Sequence, residues 1–249
     1  MPDLAQLSVQ GRTATLTISR PESRNALSIE LLRALHGQLD DLTPRHDISV
    51  LTITGAGKAF CAGMDLKLVL GDPHAPTILL DLLADLTLKL RALPMVTLAK
   101  VNGAAIGGGC GLACVCDLAI THADSKMGYP EVDMGVCPAV VAPWLVKKVG
   151  AGRARLILLT GGVISGQRAF ELGMVDQVVP TLADLDAAAA DLVARLATGG
   201  PQALRATKSL LNSLDGSDDP AAVKRGAELS AQVIALPQTQ EMLRAKLSK

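Results

Sequence analysis

Residues 101–113, VNGAAIGGGCGLA, place five glycines in thirteen positions, between a strand-like MVTLAK (95–100) and a helical run. No nucleotide motif fits them. A phosphate loop of the form G-x4-G-K-[ST] fails because Ala59 follows Gly57-Lys58 and Thr52 stands where the first glycine belongs. Gly107 to Gly111 spell G-x-G-x-G with no acidic ribose partner downstream, and a serine-hydrolase elbow is absent. A single glycine would let a helix pack tightly on a strand. Three in succession at a helix mouth do more: they leave first-turn N–H groups open, at the positive end of the helix dipole, with no Cβ to hold a ligand atom off. That is an apparatus for stabilising a developing oxyanion. GAGKAFCAGMDL (55–66) has the same character, a glycine turn and small residues before a helix predicted to start at Met64-Asp65. Two such segments can give one N–H each to a single oxygen.

Outward from this point the chain reads as an α/β core. LSVQGRTATLTIS (7–19) is a hairpin turning at Gln10-Gly11-Arg12, and 28–42 is an amphipathic helix with Ser28 as N-cap. Strands are expected at 49–54, 95–100 and 116–121, with a helix over 78–93 stopped by Pro94 and a loop at 71–77. From Pro138 onward nearly everything reads as helix, with a strand only at 174–179. The expected organisation is an α/β core over 1–195 and a helical region over 196–249.

The 249 residues are 49% hydrophobic, with 24 basic against 24 acidic residues and four aromatic rings, Phe60, Tyr129, Trp144 and Phe170. A balanced charge and so few rings argue against nucleic-acid partners. The opening MPDLAQLSVQGR lacks the basic start and apolar core of a secretory leader, and no apolar run reaches membrane-spanning length, so a cytoplasmic protein without membrane partners is expected. Five cysteines in apolar surroundings suit buried reduced thiols, and the C-x3-C-x-C spacing of Cys110, Cys114 and Cys116 does not fit a metal site.

GAGKAFCAGMDL, VNGAAIGGGCGLACVCDLAI and MGYPEVDMGVCP, in this order and spacing, resemble the crotonase, or enoyl-CoA hydratase/isomerase, superfamily. RPESRNALS (20–28) is similar to its CoA-binding signature, and LTGGVISGQRAFELGMVDQVVP (159–180) to the segment leading into its C-terminal helices. The resemblance implies a spiral of ββα units followed by a helical oligomerisation region, a homotrimer or homohexamer, and an acyl-CoA thioester as substrate. It implies no cofactor beyond the CoA that the substrate carries. By the same resemblance the enolate oxygen is held by the backbone N–H groups of Met64 and Gly108. CoA contacts fall on Arg24, Asn25, Ala26, Ala62, Met64, Asp65 and Leu66, with Lys58 either at a CoA phosphate or a solvated turn residue.

Relatives that add water across a double bond commonly carry two glutamates. One is matched here by Glu131, after Pro130; at the other position stands Gly111. Hydration divides its work easily between two carboxylates, whereas moving a double bond needs one base. Glu131 is therefore the expected acid/base, with its pKa raised by an apolar site. The reading is a hydratase for short or branched 2-enoyl-CoA, the alternatives being a Δ3-Δ2 isomerase or a silent acyl-CoA binder. Asp133 is read as a surface residue. Trp144 either floors the acyl pocket or packs the core.

Overall fold

The computed structural model describes residues 4–247. A hairpin of β1 (Ala5–Gln10) and β2 (Thr13–Ile18) opens the fold, followed by α1 (Ile29–Leu42), β3 (Val50–Gly55), β4 (Ala59–Cys61), α2 (Leu66–Gly71) and α3 (Ala75–Ala92). Then come β5 (Val96–Val101), β6 (Ala104–Ile106), α4 (Gly108–Val115), β7 (Leu118–His122), β8 (Lys126–Gly128), α5 (Ala142–Val149) and α6 (Ala151–Thr160). The chain continues with β9 (Val163–Ser165), α7 (Gly166–Glu171), β10 (Gln177–Val179), α8 (Leu182–Ala197), α9 (Pro201–Leu214), α10 (Ala221–Ile234) and α11 (Pro237–Leu247).

Two sheets organise these elements: a six-stranded one in the order β1-β2-β3-β5-β7-β10, and a four-stranded one in the order β4-β6-β8-β9. Each of β3, β5 and β7 runs straight into its short partner, β4, β6 or β8. Both sets pair in parallel. Repetition of this step with an intervening helix produces the spiral. The sequence explains the difference between strands: β2 buries Ala14, Leu16 and Ile18 in alternation, while β3 (VLTITG) is buried throughout, as a strand covered on both faces must be. Leu31, Leu35, Leu39 and Leu42 give α1 its core face, and Ser28 caps it by accepting the Leu31 N–H at 3.2 Å.

Several expectations need correction. Three strands of the smaller sheet, β4, β6 and β8, lie where no strand is expected, and β9 adds a second strand after Pro138, in a region expected to be nearly all helix. Only Gln177–Val179 of the expected strand 174–179 joins a sheet. α3 begins at Ala75 within the expected loop, because Pro76 in a first turn withholds only an N–H that the helix does not use. α2 begins after Asp65, whose carboxylate caps it, so Met64 lies in extended chain. Among the described residues no helix is long and apolar enough to cross a membrane.

Candidate active site

Met64 is held in place by a short ladder between residues 24–27 and 62–65. Ala62 N–H donates to Arg24 O (3.0 Å), Leu27 N–H to Gly63 O (2.7 Å) and Asp65 N–H to Leu27 O (3.0 Å). Leu27 thus bonds both neighbours of Met64 in a parallel bridge, which turns the Met64 N–H to the opposite side. The α4 entrance is close by: a Cβ on Gly63 would stand 3.8 Å from Gly108 N. Gly108 is the first residue of α4, so its N–H has no partner within the helix. Met64 and Gly108 line two of the same cavities.

The ladder has its own supports. Asn25, fully buried with φ +57, accepts from Arg20 N–H (2.8 Å) and donates to Ala56 O (3.0 Å) and Ala59 O (2.8 Å). Arg20 Nη1 donates to Asp65 Oδ2 (2.9 Å) and Ala26 O (3.0 Å).

Three glycines of the cluster now have a steric reason. Gly107 sits at φ +53, and a Cβ there would come within 2.6 Å of Glu131 Oε1. On Gly109 it would lie 2.2 Å from Cys61 O, a backbone atom that cannot withdraw. On Gly111 it would lie 2.2 Å from Val141 Cγ1. The direction in which a second carboxylate would project is occupied by a valine.

Glu131 precedes a 3-10 turn, Val132–Met134, whose Met134 and Val136 N–H groups both return to its carbonyl, at 3.0 and 2.9 Å. Asp133 ties the turn down by accepting Gly162 N–H at 2.9 Å, a structural task that the surface reading did not anticipate. The Glu131 side chain is 6% exposed, and its buried Oε2 has no hydrogen-bond partner among the described residues. Burial pushes its pKa up to about 7, with the Asp133 charge adding to the rise and a backbone hydrogen bond opposing it. Such a carboxyl exchanges protons near neutrality.

Three cavities surround these atoms, and Met64 lines all of them. A groove of ≈540 Å³ is walled by Arg20, Arg24, Ala26, Ala62, Asp65 and Leu66. A pocket of ≈330 Å³ brings Arg24, Ala62 and Leu66 together with Gly107, Gly108, Pro130, Glu131 and Lys246. Beyond Glu131 lies a chamber of ≈20 Å³ lined by Leu80, Leu83, Gly108, Val140, Val141 and Ser230. Most of the residues expected at the site therefore converge. Four do not. Asn25 is turned inward to brace the ladder, Lys58 is exposed in the turn after β3, Trp144 packs in the core, 2% exposed, and Gly111 is buried against Val141. Lys246, Ser230, Leu80 and Leu83 were not read from the sequence, since they come from helices remote from any motif. Cys114 lies 3.5 Å from the Tyr129 hydroxyl, and no group of three His, Cys, Asp or Glu side chains among the described residues is placed to hold a metal.

A crotonase fold in which Met64, Gly108 and a buried carboxyl with its pKa pushed up to about 7 line one pocket defines a class of enzymes that act on acyl-CoA thioesters. The chain belongs to the enoyl-CoA hydratase/isomerase family, which it matches over residues 9–245. It is 35% identical over 206 residues to the 2,3-dehydroadipyl-CoA hydratase of Escherichia coli, covering 82% of this chain and 80% of that one. With an enoyl-CoA hydratase of Alternaria alternata it shares 37% over 194 residues, covering 78% and 64% of the two chains. The crystal structure of an enoyl-CoA hydratase from Bacillus halodurans superposes with a TM-score of 0.90 at 21% identity, over 97% of this chain and 99% of that one, a likeness of fold.

Proposed function

We propose that the protein hydrates short or branched 2-enoyl-CoA thioesters, with Glu131 as both base and acid. The observation that carries this reading is the buried, unpartnered Glu131 carboxyl beside Gly108, poised near pKa 7. CoA lies along the Arg24–Ala26 and Ala62–Leu66 groove, and the thioester carbonyl accepts from Met64 and Gly108 N–H. Glu131 takes a proton from water as its oxygen bonds to the β carbon, and the π electrons move onto the thioester oxygen. The enolate then collapses as Glu131 returns the proton to the α carbon. The ≈330 Å³ pocket that holds Gly108 and Glu131 has apolar walls in Leu66, Ile106 and Met134, which favour a short aliphatic acyl end.

The closed second-carboxylate position favours one other reading, a Δ3-Δ2 isomerase, which needs Glu131 alone. A paired assay separates the two. Hydration predicts loss of the conjugated absorbance of crotonyl-CoA, abolished in Glu131→Gln. Gain of that absorbance from trans-3-hexenoyl-CoA without hydration would make the protein an isomerase; silence on both substrates would leave an acyl-CoA binder.

The reaction draws on no cofactor beyond the substrate's CoA. We take residues 1–195 as the core and 196–249 as a helical region that completes the pocket and supports a cytoplasmic homotrimer or homohexamer. An apolar groove of ≈660 Å³ between α5, α6 and α10, with Leu159 75% exposed and Leu229 48% exposed at its edge, supports self-association.

A further inference from the structure

Hydration leaves a water molecule to be held, and in this chain one of its usual holders is missing. Glu131 can accept one of the water's hydrogens. The second needs another acceptor, or the oxygen is free to swing away from the β carbon. Position 111 cannot supply it, because Val141 fills the space into which a side chain there would grow.

The inner chamber supplies a different one. Its ≈20 Å³ is the size of a single water, and among its described lining residues only Glu131 and Ser230 carry a side-chain oxygen. Ser230 is 1% exposed. Its hydroxyl donates to Cys137 O at 2.8 Å and accepts from Ala139 N–H at 3.2 Å. A hydroxyl has one proton and two lone pairs, so this geometry fixes the proton and leaves one lone pair unused. Anything that reaches the Ser230 hydroxyl meets it as an acceptor. Close docking of α10 makes this possible: one turn earlier, a Cβ on Gly226 would lie 2.2 Å from Ala139 O.

We propose that Ser230 is the positioning residue for the water that adds to the double bond, doing from α10 what a carboxylate at position 111 would otherwise do. The inference rests on the hydratase reading. One water hydrogen points to Glu131 and the other to Ser230 Oγ, which leaves an oxygen lone pair directed at the β carbon. As the new C–O bond forms, Glu131 takes the first hydrogen and the π pair moves to the thioester oxygen. The α carbon then receives that hydrogen, and the second stays on the product hydroxyl. Ser230 orients throughout and neither gains nor loses a proton.

The test is Ser230→Ala, measured in two reactions. Hydration of crotonyl-CoA is expected to lose about tenfold or more in kcat, the loss of one oriented hydrogen bond, with KM nearly unchanged. Exchange of the α protons of butyryl-CoA in D2O uses Glu131 and the two N–H donors but adds no water, and should persist. Ser230→Thr keeps the hydroxyl and should keep hydration. Ser230→Cys keeps the volume without the strong acceptor, and reads the same split should the alanine variant fail to fold. Equal loss of hydration and exchange would reduce Ser230 to a prop for residues 137–139, and intact hydration would also overturn the proposal. A wild-type protein that isomerises but never hydrates would instead refute the function on which the proposal rests.

Discussion

Replacing Glu131 by glutamine should abolish turnover and at the same time stabilise the fold, by an amount set by pH. An ordinary glutamate titrates at 4.5, whereas burial holds Glu131 near 7. The folded state therefore binds this proton more tightly than the unfolded chain does. Its stabilising contribution is fully present below pH 4.5 and is lost as pH rises through about 7. At ~1.4 kcal/mol for each tenfold difference in affinity, ionising the buried group costs the native state about 3 kcal/mol at pH 8. Glutamine has no such proton to lose. Thermal or urea unfolding of wild type and Glu131→Gln, run from pH 4.5 to 9, should show a gap that opens between 4.5 and 7 and is constant above. At pH 8 it should correspond to roughly 6–12 °C in Tm. A constant offset from the glutamine itself would not disturb this shape. Parallel curves over the whole range would refute the claim that the carboxyl is held protonated by its surroundings, and with it the physical basis for its role.

Because the base must be ionised, kcat/KM should fall as pH drops through about 7; Asp133→Asn, which keeps an acceptor for Gly162 N–H, should move that limb to lower pH in a pH–rate profile. Gly111→Glu should lose ~1–3 kcal/mol of stability through its clash with Val141, and adding Val141→Ala should restore much of it in urea melts. Asn25→Ala should cost about 3 kcal/mol, since it leaves the buried Ala59 carbonyl and the partly buried Arg20 N–H and Ala56 carbonyl without their partner, and should lower hydration further by loosening Met64.

The long elements were legible because their signals are long. Fourteen-residue α1 repeats its apolar spacing often enough to declare a period, and six-residue β3 reads as an unbroken buried run. The strands of the smaller sheet have three residues each, too few for alternation, and β6 lies inside the glycine stretch that also opens α4. Glu131 and Gly108 could be placed because their motifs are local. Asn25 was read as a ligand contact because a motif says that a residue matters, not which way its amide points; here it faces inward to three backbone groups. Ser230 carries no local signal at all. It reaches the chamber only because α10 crosses residues 137–141 after some ninety intervening positions, a juxtaposition belonging to tertiary packing alone.

Cys137 and Pro138 line both the inner chamber and the large apolar groove on the outside. One thickness of chain is all that stands between the chamber beside Glu131 and the outer groove. Such a partition behaves as a shared diaphragm: whatever presses into the outer groove bears on the space available to the substrate. Occupancy of the groove and acyl-chain preference would then be two readings of one mechanical state. A substrate profile measured with the outer groove filled would differ from one measured with it open.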